Sequence, residues 1–140
     1  MSGRVIIPPE LREAMLRHAI AERPLESCGL IGGTGAAARR FWVARNAAAS
    51  PVRYEVEPRD LLATTLEMED AGLQLWGIFH SHPTTEAYPS QTDIRLAYYP
   101  DAYYLIASLA GLSDADGTGA VLRAFRIVGT RVDEVEIAPA

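Results

Sequence analysis

Short apolar runs alternate with two amphipathic stretches that open at proline, and no other feature constrains the fold of this chain as much. The runs cover residues 5–7, 28–31, 40–44, 75–79, 103–109, 120–128 and 131–137, and Gly, Pro or polar residues bound them. That is the length and punctuation of β-strands. Tyr54-Glu55-Val56 adds a brief extended piece before Pro58. Leu11, Met15, Leu16, Ala19 and Ile20 recur at helical spacing from Glu10 until Pro24 stops them. A second helix over Arg59–Ala71 gathers Leu62, Leu66 and Met68 on its face and ends at Gly72, and a short third one runs from Thr92 to Tyr98. The runs at 28–31 and 40–44 pair as a hairpin, the first closed by Gly32, Gly33 and Gly35, and the last two runs turn around Gly129-Thr130. The mixture of the two periods predicts an α/β fold, with helices packed on one main sheet. At 140 residues and 49% hydrophobic, the chain is expected to be one domain over 1–140.

Composition narrows the function classes. The net charge is −5 and no basic run is present, which argues against nucleic acid as a partner. No apolar run approaches the roughly 18 residues of a membrane span. The first apolar stretch, Val5-Ile6-Ile7, is too short for a signal peptide, so the expected location is the cytoplasm. All 13 basic residues are Arg, which removes lysine general bases, Schiff-base chemistry and the P-loop lysine. Cys28 stands alone in Cys-Gly-Leu-Ile-Gly-Gly, which excludes disulfide frameworks and Cys-rich zinc sites and reads as a small buried hydrophobe. His18, on the first helix, has no ligand set near it and reads as a surface or helix-end residue.

Two segments imitate known ligand loops. Gly33-Thr34-Gly35-Ala36-Ala37-Ala38 fits G-x-G-x-x-A, yet strand character resumes at Phe41 and leaves no room for the helix a dinucleotide site needs. The loop Asp114-Ala115-Asp116-Gly117 lacks the glutamate at its twelfth position, which is Phe125. The informative segment is His80 to Asp93. His80 and His82, two of the three histidines, end an apolar strand with their side chains on one side. A turn-rich loop of ten residues then leads to Asp93. Two imidazoles and a carboxylate make three protein ligands with the fourth tetrahedral position free, the pattern of catalytic zinc, one ion per chain. The competing reading makes Ser90 the N-cap of the next helix, with Asp93 favoured by the helix dipole and the histidines as ordinary loop residues. The cap and ligand roles are compatible, because a cap would fix the Asp93 carboxylate in space.

His80-Ser81-His82-Pro83, with seven residues between His82 and Ser90 and then Ser90-Gln91-Thr92-Asp93, resembles the signature of the JAMM (MPN+) metalloproteases. That family pairs the signature with an upstream glutamate just before a strand, which here is Glu26 in Pro24-Leu25-Glu26-Ser27-Cys28. The resemblance runs from the first helix past Tyr103 and implies the cytidine-deaminase-like α/β MPN (JAB) fold. The Pro-Cys-x-x-Cys ligands of the deaminases themselves are missing. By resemblance, His80, His82 and Asp93 hold zinc, and Glu26 takes the proton of the attacking water and returns it to the leaving amine. Ser90 is then expected to donate to the tetrahedral oxyanion.

Family members act at the C-terminal tail of ubiquitin-like proteins. This compact chain resembles the small bacterial members, some of which release cysteine from a cysteinylated sulfur-carrier protein. The expected partner is therefore the Gly-Gly tail of such a carrier, lying as an added strand near Arg53–Val56. A broader isopeptidase, a thiol hydrolase built on Cys28 and a histidine, and a metal-free MPN scaffold are the competing functions. Chelator sensitivity and thiol alkylation separate them.

Overall fold

The fold places one parallel strand pair at its centre, and the crossover between those strands leaves the carboxyl end of the first, passes a short helix, and enters the second at its amino end. The structure is a computed structural model describing residues 3–138. In chain order the elements are β1 (Arg4–Ile6), α1 (Pro9–Glu22), β2 (Cys28–Thr34), β3 (Ala37–Ala44), α2 (Pro58–Asp70), β4 (Gln74–His82), α3 (Gln91–Arg95), β5 (Tyr103–Ser108), β6 (Val121–Val128) and β7 (Arg131–Ala138). The sheet order is β1-β3-β2-β4-β5-β6-β7, and it closes on itself as a barrel. β1 makes the closure, pairing in parallel with β7 from Arg4 to Ile6 and touching β3 at Ile6 and Ala37. The single main sheet expected from the sequence is present, and β1 joins its edges. That closure depends on pairing between opposite ends of the chain, for which no local pattern codes.

β4 and β5 run parallel, from Gly77 beside Tyr103 to His82 beside Ser108. Parallel neighbours require a long crossover. Residues 83–102 supply it and carry α3. The central strands are buried on both faces, which is why they read as continuous apolar runs. Leu30, Ile78 and Ile106 pack on the side of α2, and Ile31, Phe79 and Leu105 pack on the side of α1 with Met15 and Ala19.

Several boundaries differ from the expectation, each for a physical reason. The glycines after Ile31 do not close β2. The strand continues through them to Thr34, with register shifts at Gly32 and Gly33. A Cβ at Gly33 would lie 2.7 Å from Cγ of Trp76, so this glycine is a close approach inside a strand. The turn comes at Gly35, whose φ of +58° suits glycine. The apolar face of α2 is Leu61, Thr64 and Met68, whereas Leu62 and Leu66 are 63% and 52% exposed. Glu57 caps the N–H groups of Arg59 and Asp60, and the packing of Leu61 and Met68 into the core leaves those two leucines facing outward. α3 stops at Arg95, because the chain is then captured by the Tyr104 hydroxyl on the Tyr99 N–H (3.1 Å) and led off by Pro100. β4 extends through both histidines instead of ending at Phe79. Among the described residues, no helix is long and apolar enough to cross a membrane.

Candidate metal centre

β4 lies between β2 and β5, and its alternation sends Phe79 and Ser81 to the α1 side and Ile78, His80 and His82 to the α2 side. Both histidines are buried. Ser90 caps α3 with a complete capping box: its Oγ accepts from the Asp93 N–H at 3.0 Å, and its own N–H donates to Asp93 Oδ2 at 2.9 Å. That same Oδ2 lies 3.1 Å from Nε2 of His80 and 3.1 Å from Nε2 of His82, and the two nitrogens are 3.2 Å apart. The crossover is tied down on the way: His82 Nδ1 donates to the Glu86 carbonyl at 2.7 Å, and the Ser108 hydroxyl donates to that of Thr85 at 2.6 Å.

These contacts fit a metal better than they fit each other. With Nδ1 of His82 committed as a donor, the ring in its neutral form turns a lone pair toward another imidazole nitrogen and a carboxylate oxygen. A proton on Nε2 or a cation at their centre removes the clash. A tetrahedral ion with bonds of about 2.0–2.1 Å holds its ligand atoms roughly 3.3 Å apart, close to the triangle seen here. Among the described residues, His80, His82 and Asp93 form one group of this kind. Burial pushes the Asp93 carboxyl up, but the bonds from His80 and His82 outweigh it and hold it well below the usual carboxylate range. Burial lowers His80 and keeps it neutral. Burial also works against a proton on His82, but the bonds to Asp93 and the Glu86 carbonyl outweigh it, and His82 is raised.

Glu26 stands just before β2 and is 3% exposed, and its Oε1 has no hydrogen-bond partner among the described residues. Burial pushes its carboxyl up to about 8, against the pull of His82 and with the push of Asp93. Its position is set from both sides. The Glu26 N–H donates to the Ser50 carbonyl at 2.9 Å, and Asn46 Nδ2 donates to the Glu26 carbonyl at 3.1 Å. The next residue, Ser27, meets Ser81, which lies between the two histidines: the Ser27 N–H donates to Ser81 Oγ at 2.8 Å, and the Ser27 hydroxyl donates at 2.9 Å. The structure thus brings all five predicted site residues into one region. Ser27, Asn46, Tyr54 and Ser81 complete it. Ser81 is legible as the middle of the His-x-His motif and Tyr54 only as part of a brief extended piece, whereas Asn46 lies in a loop without any pattern of its own.

The other sequence candidates fall away from this chemistry. Cys28 is fully buried, burial pushes its thiol up to about 12, and its Sγ lies 3.4 Å from the Arg45 carbonyl. His18 is half-buried and bonds the Cys28 carbonyl at 2.9 Å through Nε2. Beside Asp93 a cavity of about 450 Å³ opens, walled by Tyr54, Val56, Leu61, Leu96, Tyr99 and Tyr104.

Comparison with known proteins agrees with this architecture. The chain is 38% identical to a CysO-cysteine peptidase of Mycobacterium tuberculosis over 93% of its length and 87% of the relative's. It is 35% identical to a desampylase of Haloferax volcanii over 79% of its own length and 84% of that protein's. The solution structure of protein DSY2949 from Desulfitobacterium hafniense superposes with a TM-score of 0.84 at 36% identity, covering 97% of this chain and 92% of that one. Residues 8–128 match the family model described as prokaryotic homologs of the JAB domain, so the chain belongs to that family and its fold is the JAB/MPN fold.

Proposed function

We propose that the protein is a zinc-dependent peptidase that hydrolyses the bond after the C-terminal Gly-Gly of a small ubiquitin-like or sulfur-carrier protein, releasing cysteine or a short peptide. The observation that carries this reading is the convergence of His80 Nε2, His82 Nε2 and Asp93 Oδ2 at 3.1–3.2 Å, in the region of a buried Glu26 whose Oε1 has no hydrogen-bond partner among the described residues. Three nitrogen and oxygen donors with a free position suit zinc. When bound, the ion lowers the pKa of a water ligand toward about 7 and polarises the scissile carbonyl.

The chain's own residues supply the rest. Glu26 takes the proton of the attacking water at its free Oε1 and delivers it to the leaving amine, which departs only when protonated. Ser90 Oγ accepts from the Asp93 N–H, and no acceptor is found for its own proton among the described residues, so the hydroxyl is free to donate to the tetrahedral oxyanion. The cap and the oxyanion donor are one residue.

The substrate tail has a place to lie. Residues 54–56 form an extended edge bridged to Asn46, with Ala47 N–H to the Glu55 carbonyl at 2.7 Å and Glu57 N–H to the Arg45 carbonyl at 3.0 Å. The backbone N–H and C=O of Tyr54 and Val56 have no partner among the described residues, and both side chains line the cavity that reaches Asp93. An extended tail pairs with such an edge through its backbone, and glycines allow the close approach. The likeness to a CysO-cysteine peptidase favours a carrier–cysteine adduct as substrate. The likeness to a desampylase favours a second reading, an isopeptidase that removes a ubiquitin-like modifier from lysines.

Mass spectrometry of a folded carrier extended by cysteine after Gly-Gly, incubated with zinc-loaded protein, should show loss of the cysteine, and a chelator should stop it. A free tail peptide contributes few contacts against its ordering entropy and should be cut poorly. Equal cleavage of an unrelated unfolded protein would replace this reading with a general endopeptidase, and preference for lysine-linked conjugates would select the isopeptidase.

A further inference from the structure

The two histidines of the metal centre are held differently. A metal-bound imidazole ordinarily donates its second ring N–H to an oxygen that fixes the ring's orientation. His82 does so, with Nδ1 on the Glu86 carbonyl at 2.7 Å. His80 does not: its Nδ1 is buried, with no partner among the described residues. What His80 has instead is Tyr54, whose ring lies over the imidazole with centroids 4.3 Å apart and planes 18° from parallel.

Tyr54 is itself locked in place. Asn46 grips the backbone on both sides of it, Nδ2 donating to the Arg53 carbonyl at 3.0 Å and Oδ1 accepting from the Glu55 N–H at 3.0 Å. The same Nδ2 donates to the Glu26 carbonyl at 3.1 Å. One side chain thereby ties the segment carrying the Tyr54 ring to the backbone of the acid that moves the proton.

We propose that Tyr54 is a positioning residue of the metal centre, its ring doing for His80 by stacking what the Glu86 carbonyl does for His82 by hydrogen bonding. This rests on the metal reading given above. A flat ring face parallel to the imidazole restrains tilt and leaves in-plane rotation to the contacts with Asp93 and His82. The stack needs an aromatic ring at position 54 and has no use for its hydroxyl. The N–H and C=O of residue 54 stay on the open edge of the cavity whatever the side chain, so a change of side chain should act on the metal and on turnover more than on tail binding.

The test compares Tyr54→Phe with Tyr54→Leu. Zinc affinity is measured by competition with a chromophoric chelator, without substrate, on protein whose folding is checked by melting in metal-free buffer. Tyr54→Phe should bind zinc within about threefold of wild type, and Tyr54→Leu should bind it about 10–100-fold more weakly, the usual effect of losing a support behind a ligand. With the carrier adduct as substrate and zinc saturating, the Leu variant should lower kcat while KM stays within about threefold. Tyr54→Met, flexible and of similar volume, replaces the Leu variant should the latter not fold. Wild-type affinity in the Leu variant, or a loss in Tyr54→Phe equal to that of Leu, would overturn the assignment. Absence of adduct cleavage by the wild type would sink the proposed function and leave the zinc result standing.

Discussion

Glu26 shows how much one side chain can cost a fold and what it returns. Its carboxyl is pushed up to about 8 by burial from an ordinary value of 4.5. In metal-free protein the folded state therefore holds a proton that the unfolded chain has released. The stabilising proton is fully present in both states below pH 4.5, and the benefit is lost as pH rises through about 8. Metal-free protein should melt at progressively lower temperature across that window. Glu26→Gln, neutral at every pH, should flatten that trend while still binding zinc. The same variant should lower turnover about 10²–10⁴-fold, the contribution of a general base; activity within threefold of wild type would assign the proton transfer to another acid. Asp93 contributes with opposite sign, its held-down carboxyl favouring the fold above its ordinary pKa of 3.8 and losing that benefit in acid. Cys28 is inert by the same physics, since a thiol pushed up to about 12 offers almost no thiolate at neutral pH. Iodoacetamide at pH 8 should leave the native protein unlabelled and active, and should label it after denaturation. Labelling of the native thiol with loss of activity would revive the thiol-hydrolase class.

At the scale of elements, the strands and helices were legible wherever burial alone shapes the pattern, and less so where neighbours intrude. The first helix was readable because Met15 and Ala19 face one core. In the second, Met68 faces the core as its pattern predicts while Leu62 and Leu66 do not, because apolarity alone cannot distinguish Leu61 from Leu62 without the sheet on which the helix packs. β2 was read short because glycine weakens a strand in isolation, whereas here Gly29 and Gly33 are where other side chains press against the backbone. A Cβ at Gly29 would lie 2.5 Å from Cε1 of Phe41 and 2.6 Å from the Trp42 carbonyl oxygen. Gly29→Ala should therefore lower stability by about 1–3 kcal/mol, as overpacking of a tight core does. Denaturant titration checks this, and an unchanged midpoint would show that Phe41 moves aside freely. Because Glu26 and Ser27 lead directly into β2, the same change should weaken the metal-dependent activity as well.

For the molecule as a whole, a metal held by the proposed ligands would be linked to folding, since the unfolded chain cannot assemble groups drawn from β4 and α3. Zinc at about 100 times its dissociation constant should add about 2.7 kcal/mol of stability, seen as a rise in Tm that a chelator reverses. His82→Ala should abolish the rise. A zinc-induced rise that survives this change would place the ion elsewhere. The sequence by itself determined the candidate metal-binding group, because His80, His82 and Asp93 lie within 14 residues and their spacing, on a strand end and on a helix capped by Ser90, is local geometry. It also determined the succession of elements, since burial on one or two faces leaves its period in the residues. Only the tertiary structure decided how the rest of the site meets them. Ser27 reaches Ser81 across 54 residues, and Tyr54 reaches His80 from a loop anchored by Asn46. Closure of the barrel likewise brings β1 beside β7. Contacts of that kind are set by the packing of whole strands around one core, and they leave no period, cap or turn in the residues that make them.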